Sequence, residues 1–312
     1  MTASPILVTG SHRSGTTWAG AILSLSGEAL SIHEPFNPAY PRSWLRRPPT
    51  RWFEYVDREH DDGWRAQMAD IVALRPPVTH LLRRSQRPRH LMRVAQEAAG
   101  AARGRRRGAR ALVKDPIAVF SAPWIADRMM TDVVVLVRHP AAFASSLKRL
   151  DWRFDFRNLL DQPTLMDTVL APHADDILDA TRRELDIIDT SILLWRVINS
   201  VVVSYREQHP DWHIVRYEDL AVDPLVSYER LYSALGLMWT PAVETAVREY
   251  TKEGNVRTVA DFDKGGVVRD SKAAMWTWTQ RLTDDEIERV RAGTADVADH
   301  FYEAADWLLP HG

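Results

Sequence analysis

Five short runs punctuate the chain in which apolar, often β-branched residues follow one another without alternation: residues 5–9, 29–32, 111–114, 133–138 and 213–217. The clearest is Val133-Val134-Val135-Leu136-Val137, and a strand that is apolar at every position is one covered on both faces. Each run leads into a turn and usually a stretch with helical spacing. The pattern predicts an α/β fold: a mainly parallel sheet of about five strands between two layers of helices. Residues 181–207, 224–235 and 283–309 read as helices, the last starting at Thr283 with Glu286 at the capping-box position. No internal repeat is visible, and residues 1–312 are taken as a single domain.

Charge changes this picture in one place. Residues 75–110 hold eleven Arg and one acid, Glu97, a local excess of +10 in a chain whose formal total is −2. This segment reads as an Arg-rich helical insertion, either a solvated face or a docking surface for an anionic substrate or polymer. The near-neutral total predicts no nucleic-acid partner. The absence of Cys excludes disulfides, thiolate zinc sites, iron–sulfur clusters and a cysteine nucleophile. No apolar run approaches the ~20 residues of a membrane span, and the opening MTASPILVTG lacks the charge and length of a secretory leader. A cytoplasmic protein without a transmembrane segment is expected. Oligomeric state leaves no mark in the sequence. Only five of the 40 basic residues are Lys, at positions 114, 148, 252, 264 and 272.

The most informative segment is Val8-Thr9-Gly10-Ser11-His12-Arg13-Ser14-Gly15-Thr16-Thr17-Trp18, set between the first strand and an apolar helical stretch. A strand that turns sharply into a helix presents unpaired N–H groups and the positive end of the helix dipole, an anion site. Gly10 and Gly15 have the glycine spacing of a P-loop, but Thr16 stands where a nucleotide triphosphatase carries its Lys. Arg13 can supply a cation from within the loop. Val137 is followed by Arg138-His139-Pro140, so the fourth strand offers no Asp for magnesium. The site is expected to hold no metal.

These residues resemble the sulfotransferases that use 3′-phosphoadenosine 5′-phosphosulfate (PAPS), and in particular the bacterial and carbohydrate-type branch. Arg13-Ser14-Gly15-Thr16-Thr17-Trp18 is similar to that family's 5′-phosphosulfate loop, and Arg138 with Ser146 in VVVLVRHPAAFASSL is similar to its 3′-phosphate element. The resemblance implies a P-loop-type three-layer sandwich. It also implies that Arg13, Ser14, Gly15, Thr16, Thr17 and Trp18 bind the donor, Trp18 toward the adenine, and that Arg138 and Ser146 bind the 3′-phosphate. Tyr217, in Arg216-Tyr217-Glu218-Asp219-Leu220, looks like part of the family's Tyr-Glu-Asp segment, although the stronger reading of Glu218 and Asp219 is that they organise the sheet. The run from Lys264 to Lys272 resembles the cofactor-clamping loop in a departed register, which nominates Arg269 and Lys272; a plain surface loop is the alternative.

Sulfuryl transfer to a hydroxyl requires in-line attack, a base for the acceptor's proton, and cations for the departing phosphate. His33-Glu34-Pro35-Phe36-Asn37 is similar to the segment that carries the catalytic carboxylate in bacterial and carbohydrate-type members. Glu34 is therefore the first candidate base and His33 the second, the alternative being a structural Glu–Arg pair. Val113-Lys114-Asp115-Pro116 looks like those members' Lys-Asp-Pro segment. Lys114 joins Arg13 as a candidate catalytic cation. The acceptor is expected to be a hydroxyl of a carbohydrate or another small metabolite. The twelve Trp could serve the core, the adenine or a sugar. Two other readings compete: a P-loop kinase or triphosphatase, and a non-catalytic protein that binds nucleotide and anionic glycan.

Overall fold

The computed structural model describes residues 4–84, 88–252 and 270–308. Its centre is a five-stranded sheet in the order β2-β3-β1-β4-β5, with β1 Ile6–Gly10, β2 Ala29–His33, β3 Arg110–Lys114, β4 Asp132–Val137 and β5 His213–Arg216. Every pairing is parallel. The expected architecture is the one observed.

The unbroken apolar runs follow from the pleat. Successive strand residues point to opposite faces, and both faces of this sheet are covered. Leu7, Val113, Val133, Val135 and Val137 enter one core with Phe53, Phe120, Phe143 and Trp195. Ile6, Val8, Leu112, Val134 and Leu136 enter a second with Trp18, Ile22, Tyr217 and Tyr228. β1 and β3 are buried at every position, whereas the edge strand β5 is half-buried throughout.

Helices α1 (Thr16–Leu23), α2 (Trp64–Val72), α3 (Val78–Arg84), α4 (Pro88–Arg106), α5 (Ala122–Met129) and α6 (Pro140–Leu150) lie between and after the first four strands. The Arg-rich segment is thus helical, as α3 and α4. Two helix expectations need correction. The run 181–207 divides into Ala174–Arg182 and Ile187–Gln208, because the Asp186 carboxylate caps the N–H groups of Ile188 and Asp189 at 2.9 and 2.8 Å and starts a new helix. The run 283–309 begins as expected, with Thr283 and Glu286 forming a capping box, but stops at Ala298. There the chain turns so that Phe301 and Tyr302 are buried.

Ile187–Gln208 is also long and apolar enough to pass for a membrane span, with a mean hydropathy of 1.5. Its apolarity has another cause: Leu194, Trp195, Val197, Ile198 and Val202 are buried in the first core.

The register aligns the carboxyl ends of the strands. Gly10 lies beside Leu136, His33 beside Lys114, and Val137 beside Arg216. β1 has β3 on one side and β4 on the other, so the chain reverses direction across the sheet at this point, where open α/β sheets form their ligand crevice. Gly10 makes the close approach possible. It has φ +141°, and a Cβ there would lie 2.2 Å from the Leu136 carbonyl oxygen. Gly10→Ala is expected to destabilise the chain by roughly 2–4 kcal/mol through strain and overpacking. Urea unfolding checks this; an unchanged midpoint would show that the β1–β4 contact can yield.

Candidate active site

The loop after β1 is held by its own side chains. Ser14 Oγ donates to the Ser11 carbonyl at 2.6 Å, and Ser14 N–H donates to the same oxygen at 3.2 Å. Arg13 takes φ +65°. Gly15 caps α1 at φ +99° and supplies no side-chain cap, and the first turn holds no acid. The opening N–H groups of α1, at Thr16 and Thr17, therefore face the crevice with the helix dipole behind them. Thr16 is buried and Thr17 half-buried. A Cβ at Gly15 would come within 2.6 Å of the Tyr217 ring, so the loop is fitted to Tyr217 as tightly as β1 is to β4.

The mid-chain pair meets this loop. Arg13 Nε donates to Ser146 Oγ at 2.9 Å, across 133 residues of sequence, and Arg138 Nη1 donates to the Arg13 carbonyl at 2.8 Å. The Arg138 guanidinium lies over the Tyr217 ring, 5.0 Å from its centroid. Pro140 opens α6 and Ser146 falls in its second turn. Two guanidinium groups, a hydroxyl and a helix N-terminus therefore converge on one crevice. That donor set suits a phosphate- or sulfate-bearing ligand.

Trp18 is fully buried and packs against Tyr217 and Tyr228, with centroids 5.5 and 5.4 Å away. It lies on the buried apolar side of α1, with Ala19, Ile22 and Leu23. Lys272 is exposed on the short helix Ser271–Met275, and among the described residues no hydrogen bond or ion pair joins it to the loop or to Arg138. Arg269 lies outside the described residues.

At the adjoining strand ends, Glu34 is buried and adopts φ +42°, a left-handed conformation that is strained for a side chain of this size. Its N–H donates to the Lys114 carbonyl at 2.8 Å. Lys114 Nζ lies 2.5 Å from Glu34 Oε1, Asn37 Nδ2 donates to Oε2 at 2.6 Å, and His33 Nε2 is 3.7 Å from Oε1. The structural alternative foresaw an arginine partner. The actual partner is Lys114, itself fully buried, because parallel pairing sets His33 beside Lys114. Burial pushes the Glu34 carboxyl up, but the charge of Lys114, then His33, and the bonds from Lys114 and Asn37 outweigh it, so it titrates below its usual range. Burial and the Lys114 charge bring His33 down to about 4. At neutral pH a carboxylate, an ammonium and a neutral imidazole share this corner.

Two residues outside the expected set support it. Asp115 Oδ2 accepts from Phe36 N–H at 2.5 Å and Oδ1 from Ile117 N–H at 3.1 Å, which pins the Glu34 loop to the end of β3. Burial, then the charge of Glu34, raises Asp115 to about 7 from an ordinary 3.8. The unfolded chain loses this proton first, so Asp115 makes stability fall as pH rises from about 4 to about 7, and then level off. Asp115→Asn lacks that slope. The variant should gain on wild type as pH rises toward 7 in paired urea titrations; a constant difference would rule out the raised value.

His12 is the second. Its ring lies 4.3 Å from Trp152, 5.2 Å from Phe143, 5.8 Å from Phe53 and 6.5 Å from Trp52. Burial and the neighbouring Arg13 lower its pKa to about 3, so it is a neutral imidazole within an aromatic wall. Trp52 and Trp152 keep part of their surface exposed. Nothing in the local sequence marks His12, since its neighbours come from three distant segments.

Glu218, by contrast, is structural. Its carboxylate accepts from His139 N–H at 3.1 Å and from the Tyr302 hydroxyl at 2.9 Å, which fastens β4 to the chain after the last long helix.

A parallel sheet with an anion-binding turn after β1 and paired arginines at its carboxyl edge defines a P-loop-type transferase of phosphate- or sulfate-bearing groups. Residues 5–241 match the profile of the Sulfotransferase family, and the chain belongs to that family. Among solved structures, a sulfotransferase domain from the curacin biosynthetic pathway superposes with a TM-score of 0.52 at 14% identity, covering 96% of this chain and 98% of that one. The sulfotransferase domain of the Synechococcus PCC 7002 olefin synthase gives 0.49 at 18% identity, covering 99% and 97%. Sulfotransferase STF9 from Mycobacterium avium gives 0.46 at 15%, covering 96% and 77%. No protein of curated function matches the sequence.

Proposed function

We propose that this enzyme moves the sulfuryl group of PAPS to a hydroxyl of a carbohydrate or another small metabolite, with Glu34 as base and without a metal. The observation that carries the reading is the convergence of Arg13, Ser146 and Arg138 beside the buried Glu34–Lys114 pair. The loop N–H groups, Ser14, Thr16, Thr17 and Arg13 hold the 5′-phosphosulfate; Arg138 and Ser146 hold the 3′-phosphate, with Tyr217 packed beneath Arg138. The donor supplies an activated sulfuryl group on a phosphate leaving group.

Glu34, ionised and free of bulk water, accepts the acceptor's proton as the new S–O bond forms. Neutralising Glu34 removes the counter-ion of Lys114, so the ammonium becomes available as charge builds on the departing phosphate. His33, beside Glu34, orients the carboxylate. The half-exposed faces of Trp52 and Trp152, next to His12, suit the C–H face of a sugar ring or a similar apolar surface on the acceptor.

Incubation with radiolabelled PAPS and a panel of sugars, phenols and aliphatic alcohols, in the presence of a chelator, tests the reading. Label transferred to hydroxyl acceptors is the expected result. Tight binding of 3′-phosphoadenosine 5′-phosphate (PAP) without transfer to any of them would favour the non-catalytic alternative.

A further inference from the structure

The Arg-rich segment has no role in the reaction proposed above, and its placement is specific. α4 is 19 residues long, about 28 Å at 1.5 Å per residue. Val94, Ala101 and Gly104 face the body and are buried. Gly104 sits where a Cβ would touch Leu74 at 3.2 Å. The opposite stripe is Arg89, Met92, Gln96, Ala99, Arg103 and Arg106, spaced to share one side of a helix, and only Ala99 among the polar and apolar members is small. All six are exposed. α3 adds exposed Arg83 and Arg84. Glu97, the one acid of the segment, is turned away into an ion pair with Arg42 at 2.8 Å. None of Arg83, Arg84, Arg89, Arg103 or Arg106 has an acidic partner among the described residues.

Large apolar side chains stand among these charges. Leu82 is 41% exposed, Leu91 43% and Met92 61%, all within residues 82–92, where α3 gives way to α4. A solvated basic face has no use for them, and a polyanion, gripped through its phosphates or sulfates, would be met by arginine alone. Cations interleaved with protruding apolar groups on a helix lying along the surface fit a membrane, where the guanidinium groups meet headgroups and the apolar tips reach the acyl boundary. The rest of the chain carries a net −12 against the +10 of residues 75–110, so an anionic surface attracts this face and repels the others.

We propose that the α3–α4 hairpin docks the enzyme on anionic phospholipid bilayers. The docked face is coupled to the reaction loop: Glu97 holds Arg42, the Arg42 guanidinium lies 5.4 Å from the centre of the Tyr40 ring, and that ring lies 4.9 Å from His33. A membrane-bound hairpin therefore carries the Glu34 corner with it.

Co-sedimentation of the full chain with vesicles tests this, comparing phosphatidylcholine alone with phosphatidylcholine mixed with phosphatidylglycerol. Binding should require the anionic lipid and weaken as salt rises. Reversing Arg89, Arg103 and Arg106 to Glu should lower the partition coefficient by at least about 100-fold, at roughly fivefold per arginine. Leu91→Ser with Met92→Ser should lower lipid binding about tenfold while leaving retention on heparin unchanged. Turnover of a soluble acceptor should be unaltered in both variants, which also shows that they fold. Equal binding to neutral and anionic vesicles would overturn the proposal, as would none to either. So would a Leu91/Met92 variant that binds vesicles like wild type while heparin retention follows the arginines, which would identify a polyanion surface instead.

Discussion

Glu34→Gln should bind PAP with near wild-type affinity and turn over roughly 10²–10⁴-fold more slowly, the span expected when a positioned base is lost. The substitution keeps the shape that Asn37 and His33 contact, and removes the charge with which the group takes a proton. It also leaves Lys114 without its counter-ion in a fully buried position. Breaking one partner of such a pair costs about 3–5 kcal/mol, partly relieved because burial already lowers the Lys114 pKa. A fall in stability must therefore be separated from the fall in rate. Glu34→Gln combined with Lys114→Met removes both charges and should recover much of the stability while activity stays lost. Calorimetric melting and single-turnover transfer from labelled PAPS read the two quantities. A single variant that transfers sulfate at the wild-type rate would remove Glu34 as the base.

Arg13→Ala and Arg138→Ala should each weaken PAP binding by about 1.5–3 kcal/mol, or roughly 10- to 150-fold, the contribution of a charge-assisted bond to phosphate. Their effects should not add. Arg138 donates to the carbonyl of Arg13, whose backbone is left-handed, so losing Arg138 also loosens the turn that aims Arg13 at Ser146. A double-mutant cycle by titration calorimetry should show coupling of about 0.5–3 kcal/mol. Ser146→Ala should cost less than either arginine, since it removes a neutral hydroxyl. Unchanged affinity in both arginine variants would place the nucleotide somewhere other than this crevice.

The difference between Glu34 and its surroundings shows how far sequence reasoning reaches here. The turn from Gly10 to Trp18 was legible because its requirements are local: glycines where the backbone must approach β4 or Tyr217, a cation inside the loop, and hydroxyls at the start of a helix. Glu34 could be nominated by resemblance, but its partner could not: the structural alternative named an arginine, and Lys114, 80 residues away, stands there. The surroundings of Trp18 are equally non-local. Its position in the motif is local information, whereas the packing of its ring between Tyr217 and Tyr228 depends on how residues after β5 fold back over α1. His12 was passed over because its aromatic wall is assembled from residues 52–53, 143 and 152.

From the order of residues alone came the five strands, their parallel arrangement, the anion-binding turn and the kinship to sulfate-transferring enzymes, all of which depend on patterns within a few residues or on the two-sided burial of apolar runs in the central strands. Tertiary structure alone decided which charges meet. The register of β2 against β3 joined Glu34 to Lys114, and the seating of α6 beside the first loop joined Arg13 to Ser146. The physical reason is distance along the chain. An electrostatic pair acts over a few ångströms, and only the folded sheet brings residues eighty or more positions apart within that reach.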